Sequence, residues 1–157
     1  MILLRFLPIV LLGSLAGAQE LIVQKVLPLE AAMKVAQGAM ERCKADGYKV
    51  SVTIVDASGA VKLQLRGDGT NAHTVELSKQ KAYTAMTYKR TSAETLTMWK
   101  TAGVFPNIPG TVAIGGGVPI KAGADVIGGI GVSGAPGGEK DEVCADEGIK
   151  KIASILK

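Results

Sequence analysis

The chain has 157 residues, 47% apolar, 20% charged and only 4% aromatic, with a formal net charge of +4. That positive excess is small and spread along the chain without a basic run, so composition argues against nucleic-acid binding. Glycine is abundant, with 20 residues, but follows no fixed period, and no internal repeat is present.

The first 18 residues, MILLRFLPIVLLGSLAGA, combine one early cation (Arg5), a short apolar run and an Ala16-Gly17-Ala18 ending. This is the pattern of a secretory signal cleaved after Ala18. The apolar run is too short to span a bilayer with margin, and no later stretch is long and apolar enough to do so. Residues 19–157 are therefore expected to form one exported, soluble domain, secreted or periplasmic, with a single core and no membrane contact after cleavage. Loss of Arg5 takes the charge from +4 to +3. Cys43 and Cys144 both fall on predicted helices. They could pair in an oxidising compartment or serve as small buried apolar groups, and two cysteines are too few to define a disulfide framework.

From Pro28 to Asp46 the pattern reads as a helix, with Leu29, Ala32, Met33, Ala36, Ala39, Met40 and Cys43 on one stripe and Gly47 placed to end it. YKVSVTIVD then alternates, setting Val50, Val52 and Ile54 on one face. DASG supplies a turn and AVKLQLRG returns, which makes a hairpin. DGTNAH, Asp68 to His73, is a loop by composition. Thr74 is placed to cap a second helix reaching about Arg90, with Val75, Ser78, Ala82, Ala85 and Met86 inward; Ser92 is placed to cap a short third helix ending at Gly103. VFPNIPG is an extended connection constrained by its prolines. Three short strands follow, TVAIGG, VPIKAG and DVIGGIGVS. A last helix from about Glu139 to Leu156 buries Ala145, Gly148, Ile149, Ile152 and Leu156.

The order α-β-β-α-α-β-β-β-α predicts an α+β fold, with a five-stranded antiparallel sheet and flanking helices. GIGVSG, Gly129 to Gly134, matches G-x-G-x-x-G but lies outside any βαβ unit. The helix after it opens Glu139-Lys140-Asp141-Glu142, whose carboxylates would oppose a phosphate. These glycines instead suit close backbone approach and a sharp exit from a strand.

His73 is the only histidine, and no HxH, HExxH or CxxC spacing exists, which argues against a zinc site. A lone histidine can still be the axial ligand of a haem, whose porphyrin supplies four nitrogens. Ser133, His73 and Asp56 make a triad only on paper, because GVSGA lacks the nucleophile-elbow spacing. Glu142 and Asp146 lie one helical turn apart, as a weak cation site or as a solvated acidic helix start. Arg66 or Lys81 could pair with a ligand carboxylate. Asp68, Lys79 and Lys89 add charge nearby, and Tyr83, Tyr88 and Trp99 suit core or pocket walls.

Four motifs in this order carry a resemblance: VTIVDASGAVKLQLRGDGT, HTVELSKQKAYTAMTYKRTS, GGGVPIK and IGGIGVSGAPGGEKDEVCADEGI. Over roughly Leu27 to Leu156 the chain resembles the GlcG/HbpS-like haem-binding family. The resemblance implies a profilin- or PAS-like layered fold, assembly as a homo-oligomer, and haem binding, in some members linked to extracellular redox sensing. It also implies an association with glycolate utilisation, and a related domain occurs on corrinoid adenosyltransferases. His73, Arg66, Asp68 and Lys81 match the family pattern and become the candidate cofactor-binding residues, with His73 the candidate axial ligand of haem iron. The glycine loop Gly115 to Gly117 and the Ser133-Gly134 turn match too. The expected function is an exported protein that carries or senses haem without transforming it. Two alternatives stand beside it: a haem-degrading or small-molecule enzyme using a glycine-rich pocket, and a non-catalytic oligomeric module that binds a small hydroxy acid or other carboxylate.

Overall fold

The computed structural model describes residues 20–157; the expected signal segment lies outside them. The elements are α1 (Leu29–Ala45), β1 (Ser51–Asp56), β2 (Val61–Arg66), α2 (His73–Tyr88), α3 (Ser92–Ala102), β3 (Gly117–Ala122), β4 (Asp125–Ser133), α4 (Gly138–Lys150) and a 3-10 turn, Ala153–Ile155. The strands form one antiparallel sheet in the order β2-β1-β4-β3.

The α+β class and antiparallel sheet agree with the sequence reading, but the sheet has four strands among the described residues rather than five. TVAIGG forms no ladder. Val112 N–H donates to the Thr84 hydroxyl at 2.8 Å, and Gly116 O accepts from Val132 N at 2.8 Å. Gly116, at φ +115°, then turns the chain into β3. The segment is thus fixed by separate bonds to α2 and β4, to α3 through Ser92 Oγ donating to Ile114 O at 2.6 Å, and to Glu142 of α4, where an alternating strand pattern carried no warning.

The sheet is covered on both faces. Val50, Val52, Ile54, Val118, Ile120, Ile130 and Val132 meet α1 and α4 in the main core, where the small residues of α1 and α4 let the helices pack closely. On α1 the buried set is Ala31, Ala32, Val35, Ala36, Gly38, Ala39 and Cys43, so Leu29 and Met33 are exposed contrary to expectation. Cys43 and Cys144 are joined by a disulfide with Cα atoms 5.5 Å apart, which settles the open choice in favour of pairing.

The opposite face of the sheet is small and polar. Ser51 bonds Thr74 at 2.8 Å and Thr53 bonds Ser78 at 2.7 Å, hydroxyl to hydroxyl, across the interface with α2. Thr74 is therefore not the cap of α2; its hydroxyl also donates to Asn71 O. Gly129 and Gly131 give α2 room to lie directly on β4. A Cβ at Gly131 would overlap Ser78 O and stand 2.6 Å from Ala82 N. The G-x-G-x-x-G string is a helix-on-sheet packing device.

The helix boundaries moved slightly. α3 is capped by Thr91, one residue earlier than expected, in a capping box with Glu94. α4 ends at Lys150, and the predicted remainder of that helix is the 3-10 turn. No helix among the described residues is long and apolar enough to cross a membrane.

Candidate functional site

Four residues after β2 decide the geometry of one end of the sheet. Arg66 donates from Nη2 to Thr70 O at 2.8 Å, Gly67 N donates to Val50 O at 3.0 Å, and Thr70 N returns to Gly67 O at 3.2 Å. Gly69, at φ +71°, makes the reversal that this closure needs. The loop then runs directly into α2 at His73.

Between this loop, the end of α1 and the entry to β1 lies a cleft of about 560 Å³. Met40, Tyr48 and Val50 supply apolar surface; Lys44, Lys49 and Arg66 bring three cations, against the carboxylates of Glu41 and Asp68. None of these five charged groups except Glu41 takes part in an ion pair among the described residues. Lys140 Nζ stands 5.6 Å from the Tyr48 ring centroid, a cation–π contact that steadies the ring. A cleft of this size with convergent cations and an apolar wall suits an amphipathic anion.

Of the residues singled out from the sequence, Arg66 and Asp68 meet in this cleft. His73 is exposed at the start of α2, at the far end of the same loop, and is not among the cleft's lining residues.

Lys81 stands elsewhere, in the middle of α2. Its ammonium donates to Asp141 Oδ2 at 2.8 Å and to Val132 O at 3.0 Å, with both side chains at most 3% exposed. That engagement removes it as a partner for a ligand in the cleft. Asp141 also accepts Ala135 N–H at 3.0 Å. Burial pushes its carboxyl above the ordinary carboxylate range, while Lys81 and the Ala135 amide pull it back.

The glycine loop is packed onto this pair. A Cβ at Gly116 would stand 2.8 Å from Lys81 Nζ and from Asp141 Cβ. Asp141 was missed as a partner because EKDE reads as a solvated helix start. Its spacing held the signal, since Asp141, Ala145 and Gly148 are buried on one stripe of α4, as Thr74, Ser78, Lys81 and Ala85 are on α2.

The paper triad is not assembled. Ser133 pairs with Ser51 at one end of β1, whereas Asp56 lies at the other end, opposite Gly128. Its carboxylate instead receives Ser58 and Ala60 in the hairpin turn, and the Ser58 hydroxyl bond holds its pKa low. Glu142 accepts Gly116 N–H at 3.3 Å and is pushed up by burial. No group of three or more His, Cys, Asp or Glu able to hold a metal ion occurs among the described residues.

The family described as "Haem degrading protein HbpS-like" matches residues 27–150. Among solved structures, HbpS is 39% identical over 83% of this chain and 93% of its own, with a TM-score of 0.80. A double mutant of Streptomyces reticuli HbpS is 36% identical over 93% of this chain and 97% of its own, also at 0.80. PduOC, solved as a haem complex, is 27% identical over 82% of this chain and 96% of its own, at 0.74. No match was found among curated proteins. The layered fold, the four motifs in their places and the match across nearly the whole described chain agree: the protein belongs to the HbpS-like family.

Proposed function

We propose that this protein is an exported haem-binding protein that carries or senses haem without transforming it. The observation that carries the reading is the cleft at the β2–α2 loop, whose apolar wall and three cations match a flat apolar ligand with two carboxylates. Family membership and the haem complex of PduOC point to the same ligand class. Arg66, with Lys44 and Lys49, would hold the propionates, and Met40 and Tyr48 would face the macrocycle. Asp68, from the same family pattern, lines the cleft beside Arg66. His73 does not line this cleft; it stands exposed at the start of α2, at the other end of the same loop, and is the candidate axial ligand from the family pattern. Bound haem would supply an iron centre able to change oxidation state, which the cleft residues would hold. Export is supported independently by the Cys43–Cys144 bridge, which belongs in an oxidising compartment.

Hemin titration of the protein beside His73→Ala and Arg66→Ala tests this. The reading expects a saturating one-to-one Soret shift, altered in position by His73→Ala and weakened about tenfold by Arg66→Ala. Weak, unsaturable binding in all three would reject it. A second reading, haem degradation, is favoured by the family's description. Loss of the Soret band with release of iron when a reductant is added would establish that reading in place of carriage.

A further inference from the structure

A second cleft, of about 620 Å³, opens where α2 passes into α3 beside the edge strand β3, and it shares no lining residue with the first. Its floor is Val118 and Pro119, and around the floor stand Lys89, Arg90 and Lys121, with Glu94 the one carboxylate. Glu94, whose Oε2 accepts Thr91 N–H at 2.8 Å in the α3 capping box, is not within ion-pair distance of any of the three cations. None of the three cations forms an ion pair among the described residues.

The backbone adds an independent observation. Lys89 caps α2 at φ 57°, ψ 25°, and it is the one non-glycine residue with positive φ among the described residues. Glycine is the ordinary occupant of that position and lysine is strained there. Strain of this kind is kept where a side chain is needed in a particular place. Here it sets an ammonium at the cleft. Pro119 in the edge strand removes a backbone donor, which disfavours addition of a peptide strand and leaves the cleft to a small molecule.

We infer that this cleft is a binding site for a small organic or inorganic polyanion, carrying two or more carboxylate or phosphate groups, held by Lys89, Arg90 and Lys121. None of the three cations is held in an ion pair among the described residues, and a compact dianion can meet two of them at once.

Pyrophosphate and succinate serve as probes, each titrated into isotope-labelled protein at constant ionic strength and followed by amide chemical shifts. The expected result is saturable shifts confined to residues 88–94 and 117–122 with at least one probe. Saturation by pyrophosphate alone identifies a phosphate site, and saturation by succinate alone a carboxylate site. The triple variant Lys89→Ala, Arg90→Ala, Lys121→Ala should lose at least about tenfold in affinity. Lys89→Gly should raise the melting temperature while weakening binding, a combination that a merely structural lysine would not give. Absence of saturation with both probes, or equal affinity in wild type and triple variant, overturns the inference. Hemin binding is read separately, since no residue of the first cleft is altered.

Discussion

Lys81 Nζ and Asp141 Oδ2 lie 2.8 Å apart with at most 3% of either side chain exposed, joining the middle of α2 to the first turn of α4. Both charges are removed from water, so the pair is held by mutual attraction and by the bonds to Val132 O and Ala135 N. Removing one partner leaves the other buried and uncompensated. Lys81→Met should cost about 3 to 5 kcal/mol in urea unfolding at neutral pH. Adding Asp141→Leu should recover part of that loss, because no buried charge then remains.

The same pair has a pH signature. Asp141 has a raised pKa in the fold, chiefly through burial, so between its unfolded and folded values the native state binds more protons. Its contribution to stability is complete below the ordinary aspartate range and declines as pH rises through the folded value. The stability of wild type relative to Asp141→Asn should therefore fall with rising pH across that window. A rise across it, measured by urea unfolding at a series of pH values, would contradict the assignment.

The Cys43–Cys144 bridge closes a loop with a sequence separation of 101 and sits in the fully buried contact of α1 with α4. Chain-entropy arguments give such a loop about 5 kcal/mol of stabilisation. Unfolding midpoints should fall strongly when reductant is added, and the double variant Cys43→Ala, Cys144→Ala should then show no further response to reductant. Equal midpoints for oxidised and reduced wild type would show that the bridge does not constrain the unfolded chain.

Gly131→Ala tests the packing of α2 on the sheet. The added methyl would overlap Ser78 O, a backbone atom that cannot move without shifting the helix. Overpacking of this kind should cost about 3 kcal/mol. Gly47→Ala is the control: its φ is +81°, but nothing lies within 4 Å, so only backbone strain of about 1 kcal/mol applies. Similar losses for the two variants, by thermal unfolding, would argue against close approach at Gly131.

Periodicity made most of this fold legible, because Val50, Val52 and Ile54 alternate cleanly and Ala145, Gly148 and Ile152 repeat at helical spacing. The reading was poorer where one residue answers two demands. Lys81 suits a ligand carboxylate by its charge and its place in the family pattern, and only the fold brings Asp141 to it from 60 residues away. Arg66 and Asp68 are singled out by the motif around them and line the cleft, whereas Tyr48 and Lys49 join it through a turn that no local pattern distinguishes. The fifth strand failed for a related reason. Apolar alternation reports which residues face inward, not whether a backbone partner is available.

That last point can be tested at one hydroxyl. Thr84 is fully buried; it donates to Gln80 O within its own helix and accepts Val112 N–H at 2.8 Å. It thus does for the Val112 amide what a neighbouring strand would have done. Thr84→Val keeps the shape and removes the acceptor, leaving the Val112 amide without its partner, at a cost of about 1 to 3 kcal/mol. Thr84→Ser keeps the acceptor and should lose much less. Hydrogen exchange at Val112 reads the local effect directly. Its protection should collapse in Thr84→Val and persist in Thr84→Ser, while amides in β4 stay protected in both. Unchanged protection of Val112 in Thr84→Val would mean that the segment is held by something other than this hydroxyl.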